Sequence, residues 1–237
     1  MKYTPGQFVG QLSGKSGSTV ASRNRFGSYL RTKVNPVQPN TPFQTLARNR
    51  LALLAGNYRL LTESQRTAWA LLGKQIQRYD SLGNAYDLTG LQAYVEVNAN
   101  RLRCGALPTA VAPALDSPPE IESVFINAEV TPYTLTVAFT PNPLPANTRV
   151  LVYASPPVSQ GINFFGTAQP LARRGKGLYK LVLVSNAAAT SPIDIGIAWA
   201  GRFGSFSAGQ KISVMLLPIS ANFFSGVAVR GDAIAIA

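Results

Sequence analysis

The sequence predicts an α+β protein with an extended basic N-terminal arm, a small three-helix region and a C-terminal antiparallel β-sandwich. Between residues 41 and 105, apolar residues recur at helical spacing after each of three Thr-x-x-Gln sequences. After residue 119 the apolar residues instead alternate with polar ones, as in strands with one buried face. Four prolines between residues 106 and 119 separate these patterns, and they predict a linker because proline favours extended chain.

Residues 1–40 predict the extended arm, because Gly, Ser, Thr, Asn and Pro dominate and only residues 19–25 and 29–34 could form strands. The arm is strongly basic: nine Lys and Arg residues precede Glu63, which is the first acidic residue of the chain. Two cationic pairs, each two residues apart, would project from one face of an extended backbone, and two aromatic residues lie among them. The candidate assembly contacts are Arg23, Arg25, Phe26, Tyr29, Arg31 and Lys33.

Each Thr-x-x-Gln sequence predicts the start of a helix, because the Thr hydroxyl can accept a hydrogen bond from the Gln amide while the Gln side chain reaches back. Pro42 follows the first of these threonines at the first helical position, where its missing N–H costs nothing. The third helix should stop near Gly105. Residues 79–86 predict a turn or short hairpin before that helix. The three sequences are Thr41 to Gln44, Thr62 to Gln65 and Thr89 to Gln92.

Two residues are expected to organise the packing of the helices. Trp69 lies on an apolar periodic face, which favours a place in the core over stacking on a ligand. Asn98 lies on the apolar stripe of the third helix. There a buried amide could fix the packing by hydrogen bonding, although a position facing the solvent fits the sequence equally well.

Residues 120–237 predict seven short strands, as in sandwiches of the immunoglobulin or fibronectin type III kind. The clearest alternation runs through residues 133–140. Cys104 is the single cysteine of the chain, so no intrachain disulfide can join the two sheets and packing must hold the core. The other predicted strands are residues 121–126, 149–154, 178–184, 193–199, 211–217 and 227–236.

The composition argues against an enzyme and against a cofactor or metal site. Histidine is absent, which removes the commonest general base and the commonest metal ligand. No other residues have metal-ligand spacing, and nothing in the sequence brings a nucleophile to a base. Charged residues are only 14% of the chain and hydrophobic residues are 46%. We therefore expect an unusually neutral surface, of the kind that neighbouring molecules cover.

Three short motifs suggest other functions, and the sequence favours an interpretation without that function for each of them. Residues 10–16 resemble a phosphate-binding loop, but the spacing is one residue short and no hydrophobic strand precedes it. Residues 230–232 spell Arg-Gly-Asp, a tripeptide that some adhesive proteins present to integrins, within a predicted strand or tight turn. Residues 173–177 predict a solvated basic hairpin tip.

The basic arm has two candidate partners. It could run along single-stranded nucleic acid, with its cations on phosphates and its rings on bases. Alternatively it could lie across neighbouring subunits, adding strands to sheet edges and pairing arginines with carboxylates. The net charge of +12 fits both partners. The low charge of the remaining chain favours the protein partner, because it indicates large contact surfaces.

A set of sequence motifs runs through about residues 10–105. The first are Gly14-Lys15-Ser16-Gly17, Ala21-Ser22-Arg23-Asn24-Arg25, Tyr29-Leu30-Arg31 and Asn35-Pro36-Val37-x-Pro39-Asn40-Thr41-Pro42. They are followed by Leu61-Thr62-x-x-Gln65-Arg66-x-Ala68-Trp69 and Leu88-Thr89-Gly90-x-Gln92-x-Tyr94-Val95-x-Val97-Asn98. Together these motifs resemble a family of tailed-phage and prophage proteins that has no assigned chemistry.

The resemblance implies a structural role in a virion, at the capsid, the neck or the tail. The partners would be other virion proteins and copies of this chain in a homo-oligomer, and contact with packaged nucleic acid stays open. No apolar run could span a bilayer and no secretory signal is evident, so we expect synthesis in the host cytoplasm and no membrane partner. The alternatives are a nucleic-acid-binding protein that uses the arm, or a host-surface adhesin that binds through the β-sandwich.

Overall fold

Helices and antiparallel strands together make this an α+β protein. The computed structural model describes residues 12–34, 38, 40–80, 83–162, 179–185 and 190–237. The chain divides into two compact units, residues 1–46 and residues 47–237. No helix in the described ranges is both long and apolar enough to cross a membrane.

The N-terminal unit contains a three-stranded antiparallel sheet made of β1 (Gly14–Ser16), β2 (Thr19–Asn24) and β3 (Gly27–Thr32). Strands at the two predicted places are confirmed. The prediction of a single extended arm, however, is wrong over these residues, because the chain reverses twice and its strands pair with one another. One reversal is stabilised locally by the Asn24 side chain, which accepts a hydrogen bond from the backbone N–H of Phe26 at 3.0 Å.

Three helices follow, α1 (Pro42–Arg59), α2 (Glu63–Gln75) and α3 (Gly90–Arg103), and each begins at a predicted Thr-x-x-Gln sequence. The Thr62 N–H donates to the Gln65 side chain at 3.0 Å, and the Gln65 N–H donates back to the Thr62 hydroxyl at 3.4 Å. The same reciprocal pair forms at α1 and α3. These predicted helix starts are therefore confirmed, and each satisfies amides that the first helical turn leaves unpaired.

A short hairpin joins α2 to α3, as predicted for residues 79–86. It consists of β4 (Gln77–Tyr79) and β5 (Ala85–Asp87), which pair antiparallel. The chain then returns very close to α2 at Gly73, whose carbonyl accepts from the Leu88 N–H at 3.0 Å. A Cβ at position 73 would lie 2.5 Å from the Leu88 carbonyl oxygen, so only glycine permits this approach.

The described residues between 120 and 237 form two antiparallel sheets. One sheet has the strand order β10-β8-β12-β13, with β9 also on β12, and the other has the order β11-β7-β6. The strands are β6 (Ser123–Glu129), β7 (Thr134–Thr140), β8 (Arg149–Ala154), β9 (Val158–Ser159), β10 (Lys180–Val184), β11 (Ile193–Asp194), β12 (Gln210–Ile219) and β13 (Val229–Ile234).

The two sheets pack together through alternating side chains that face each other. Beyond β13, Ile236 joins the edges of the sheets, since its N–H donates to the Ala128 carbonyl and its carbonyl accepts from the Val130 N–H, both at 3.0 Å. The shared cluster has no need of a disulfide, because close-packed apolar side chains fill it. Its members include Leu135, Val137, Phe139, Val150, Val152, Ile212, Val214 and Leu216.

The predicted strand over residues 193–199 is wrong beyond residue 194. The chain forms α4 (Gly196–Phe203) instead, beginning where the Asp194 carboxylate accepts the Gly196 N–H at 2.8 Å. Alternation would place Ile195, Ile197 and Trp199 on one face, but Ile197 is 89% exposed while the other two are buried. Spacing of four residues therefore decides the structure, since it places Ile195 and Trp199 together against the sheets.

The sheet that contains β8 and β12 packs against the second sheet on one face, and the helices cover its opposite face. Leu151, Leu217 and Ile219 from this sheet share a buried cluster with Leu54, Trp69, Leu72, Tyr94 and Val97 from the helices. The sheet of β8 and β12 therefore lies between a helical layer and the second sheet. Its central strands are apolar on both faces, as in any sheet that is covered on both sides.

The capping pair of α3 provides a test of how much the helix starts contribute. Thr89→Ala should lower the free energy of unfolding by about 1 kcal/mol, because it leaves the Gln92 amide without its side-chain acceptor. Thr89→Ser keeps the hydroxyl and is the matched control. Urea denaturation of the three proteins measures the effect, and equal stability of the Ala and Ser variants would contradict it.

Candidate functional site

The sheet of the N-terminal unit distributes the predicted contact residues over two faces and a turn. Val20 lies opposite Lys15 on one side and Arg31 on the other, so these three side chains share a face, which Tyr29 also occupies. Arg23 lies on the opposite face, because it is three residues from Val20 on the same strand. Cations therefore lie on both faces of this small sheet.

Arg25 and Phe26 form the turn between β2 and β3, so the prediction that Arg23 and Arg25 project from one face of an extended chain is wrong. The chain reverses there, and the Arg25 guanidinium lies 5.4 Å from the Phe26 ring centroid. Lys33 follows the end of β3, and its backbone N–H donates to the Ser18 carbonyl at 2.6 Å. The turn thus presents a cation and an aromatic ring together.

Asn98 is fully buried, and it holds a neighbouring loop to α3. Its side-chain oxygen accepts the Thr109 N–H at 2.7 Å, and its amide nitrogen donates to the Thr109 carbonyl at 3.2 Å and to the Tyr94 carbonyl at 3.1 Å. The structure thus decides between the two positions that the sequence allowed for Asn98. A buried amide with this many partners fixes one arrangement of loop and helix.

Trp69 is also fully buried, with its ring edge-to-face against Tyr94 at a centroid distance of 5.1 Å. Its indole N–H donates to the Ala110 carbonyl at 2.8 Å. Both residues predicted to organise the helices therefore also hold the first part of residues 106–119 against them.

A group of basic side chains that the sequence did not single out surrounds Phe223. The guanidinium carbons of Arg101 and Arg149 lie 4.7 Å and 5.0 Å from the Phe223 ring centroid. Asn100 donates from its side chain to the Phe223 carbonyl at 2.9 Å, and Arg103 donates to the Asn100 side-chain oxygen at 3.2 Å. Residues from a helix end, a strand end and a loop thus meet at one ring.

The electrostatic influence of these arginines reaches two half-buried groups next to them. Burial raises the pKa of the Cys104 thiol, and the positive charges of Arg149 and Arg103 oppose that rise. Burial likewise raises the pKa of Tyr153, against the opposing charges of Arg103 and Arg50. These three arginines, together with Arg101 over the Phe223 ring, therefore lie in one region of residues 47–237.

We call this group the arginine cluster. Among the described residues, no carboxylate lies within 4.0 Å of any of its four guanidinium groups. Its members come from three distant stretches of the sequence, so the only signal that could have indicated it is the excess of basic residues. The arginine cluster consists of Arg50, Arg101, Arg103 and Arg149.

The Arg-Gly-Asp tripeptide is part of β13, and its side chains bind within the protein. Asp232 accepts hydrogen bonds from the Arg230 Nε at 2.8 Å and from the Ser213 hydroxyl at 2.6 Å. A Cβ at Gly231 would lie 2.9 Å from the Val124 carbonyl oxygen, so the glycine permits the close approach of β13 to β6. Packing alone accounts for this tripeptide.

The other two short motifs, residues 10–16 and residues 173–177, do not add residues to a candidate site. Residues 14–16 of the apparent phosphate-binding loop form β1 of a hairpin, while residues 10 and 11 lie outside the described residues. The predicted basic tip at residues 173–177 also lies outside them. Within the described ranges, no three Cys, Asp or Glu side chains come close enough to hold a metal ion.

A scan against protein-family models and searches of curated proteins and solved structures found no match to this chain.

Removing the side-chain amide of Asn98 should destabilise the protein. Asn98→Leu keeps a similar volume but leaves the backbone N–H and carbonyl of Thr109 without partners, which should cost about 2 to 3 kcal/mol of unfolding free energy. Exposed Asn127 provides the matched control, since Asn127→Leu should change stability by less than about 0.5 kcal/mol. Equal urea midpoints for the two variants would refute this role of Asn98.

The network around Asp232 predicts a pH dependence of stability. Burial alone would raise the pKa of Asp232, but hydrogen bonds from Arg230 and Ser213 and the charges of Arg230 and Lys211 lower it below its ordinary value. A carboxyl whose pKa is lower in the folded state stabilises the fold above the unfolded pKa, and this stabilisation is lost as the pH falls through the folded pKa.

Asp232→Asn should therefore lower the unfolding free energy at neutral pH by about 1 kcal/mol and reduce the further loss of stability below about pH 4. Urea unfolding between about pH 2 and pH 7 measures both effects. Glu122→Gln, at an exposed carboxylate, is the control for a general change of charge. If the wild type and Asp232→Asn lost stability in parallel as the pH fell, the network would not act as described.

Proposed function

We propose that this protein is a non-enzymatic structural component of a bacteriophage virion, at the capsid, the neck or the tail. It would assemble through its basic N-terminal segment and its helices, after synthesis in the host cytoplasm. The observation that carries the proposal is the small N-terminal sheet with cations on both faces and at its turn. No carboxylate precedes Glu63 in the chain, so this segment is suited to partners that supply negative charge.

Exposed apolar side chains in residues 47–237 support a role in assembly. On α1, Leu51 and Leu53 are 55% and 51% exposed, and Leu60 just beyond the helix is 84% exposed. Large leucines exposed along one helix and just beyond its end are suited to contact with a neighbouring molecule. Burial against a neighbouring subunit would remove them from water, which is the main driving force of association.

The motif resemblance to tailed-phage proteins supports the choice of a virion over other assemblies. We also interpret the two packed sheets as an elaborated sandwich of the immunoglobulin or fibronectin type III kind, with α4 as the addition. Supporting this interpretation are the antiparallel pairing and the single buried cluster that both sheets share. Other virion proteins and copies of this chain would be its neighbours.

Binding of nucleic acid is the second candidate function, and one observation favours it. Lys15, Tyr29 and Arg31 share one face of the N-terminal sheet. Cations and an aromatic ring on one surface are what single-stranded nucleic acid requires for phosphate contact and base stacking. If the protein contacted about five phosphates, raising the salt concentration from 50 to 200 mM would weaken binding roughly a hundredfold.

Deleting residues 1–40 tests the proposed role of the N-terminal segment. The remainder keeps the capping pair of α1 and the whole of residues 47–237, so it should stay soluble and unfold cooperatively. It should no longer enter particles. Mass spectrometry of purified particles, made with either the deletion or the full chain, counts the copies incorporated.

Normal incorporation of the deletion would show that the segment has no role in assembly. A gel shift with single-stranded DNA separates the second candidate. Tight binding that depends on residues 1–40 and on salt, without self-assembly, would favour the nucleic-acid function over the virion function.

A further inference from the structure

We propose that the arginine cluster is a docking site for an acidic segment of another protein, one that carries apolar residues beside its carboxylates. This site lies within residues 47–237, and it is distinct from the basic N-terminal sheet of the proposed function. Three observations carry the proposal: the described residues give the cluster no carboxylate partner, three of its four side chains are held in place, and an exposed leucine lies beside it.

The positive charge of the cluster favours the binding of an anionic partner. Arg101 and Arg149 share the Phe223 ring, and Arg103 binds the neighbouring Asn100. Arg50 and Arg103 both act on the half-buried Tyr153. The described residues offer these four guanidinium groups no carboxylate. Like charges that are partly removed from water repel one another more strongly than they would at an open surface. An anion that binds among them relieves this repulsion and gains charge-assisted hydrogen bonds.

Three of the arginines are held in place by their neighbours. Arg101 and Arg149 lie over the Phe223 ring, and Arg103 donates to the Asn100 side chain. Binding to side chains that are already ordered loses less conformational entropy than binding to mobile ones. The planar guanidinium also offers two parallel donors to a carboxylate, so an ordered arginine favours defined groups over a diffuse charge.

The surroundings favour a polypeptide over a nucleic acid. The aromatic ring at the centre of the cluster, Phe223, is only 7% exposed, so it offers no surface on which a base could stack. Leu107 lies beside Arg101, whose Nε donates to the Leu107 carbonyl at 2.7 Å, and the Leu107 side chain is 81% exposed. An aliphatic side chain next to guanidinium groups suits a partner that alternates apolar and acidic residues.

The partner should be a different protein rather than a second copy of this chain. The chain carries a net charge of +12, so a second copy suits this cationic site less well than an acidic protein does. Its most acidic short stretch, Glu120 to Glu122, has Ile121 at its centre, and Ile121 is buried at 3% exposure. That stretch therefore cannot present its apolar residue to the arginine cluster of another copy.

Fluorescence anisotropy with a labelled peptide of Glu-Glu-Leu repeats tests the site on the full chain. The double variant Arg50→Gln, Arg103→Gln removes two charges and spares the pair that packs on Phe223. It should weaken peptide binding by about tenfold. The matched control is Arg59→Gln, Lys74→Gln at two exposed cations outside the cluster, which removes the same charge and should leave binding within about twofold.

A second variant, Leu107→Glu, covers the case in which the double variant does not fold. Leu107 is largely exposed, so this change should leave thermal unfolding unaltered while it weakens the peptide by repulsion and by loss of its apolar contact. The proposal is overturned if the wild type does not bind the peptide at low salt, or if the control pair and the cluster variants weaken binding equally.

An oligonucleotide of the same total charge is the competing probe. The peptide should bind more tightly than the oligonucleotide, and only peptide binding should depend on Leu107. Tighter, cluster-dependent binding of the oligonucleotide would overturn the proposal and identify a nucleic-acid site instead. The deletion of residues 1–40 should stop assembly and leave the cluster-dependent peptide binding intact, so the failure of one proposal can be told from the failure of the other.

Discussion

The central strands β8 and β12 must be buried on both faces, and most of the architecture of residues 47–237 depends on this requirement. Val150, Leu151 and Val152 are consecutive and all are buried, which is possible only when both sides of the strand are covered. The second sheet and α4 cover one face, and the helices cover the other. The absence of a disulfide is then unimportant, because two apolar layers share the same strands and neither can separate without exposing them.

Polar side chains hold the loops where the helical layer meets the sheet. Asn98 binds the chain at Thr109, Asp116 accepts from the Ser220 hydroxyl at 2.6 Å, and Asn100 donates to the Phe223 carbonyl. Each of these bonds gives a polar group at this junction a hydrogen-bond partner within the protein. The same loops bring Phe223 to the end of α3, so the arginine cluster is a product of packing between layers.

Local signals made part of this fold predictable from the sequence. A Thr-x-x-Gln sequence acts within four residues, so the helix starts could be identified without knowledge of the tertiary structure. The alternation through residues 133–140 likewise identified β7. Over residues 193–199 the same alternation misled, because Ile195 and Trp199 fit both a strand and a helix, and only the neighbouring core decides between them.

Features that depend on contacts between distant parts of the chain could not be predicted from the sequence. The apolar run at residues 212–219 signals a strand covered on both sides, but not that the covering layer is helical. Arg50, Arg101 and Arg149 come together only because α1, α3 and β8 do, and no spacing in the chain records this. The reversal at Arg25 depends on the Asn24 side chain, a turn signal that an overall count of polar residues conceals.

The position of the Arg-Gly-Asp tripeptide in β13 affects how substitutions within it would be interpreted in a cell-attachment experiment. The usual negative controls for integrin recognition replace the glycine or the aspartate. Here the glycine faces the Val124 carbonyl and the aspartate ties neighbouring strands. Such controls would disturb the pairing and packing of β13, and a lost signal would then reflect damaged protein and not an abolished receptor contact.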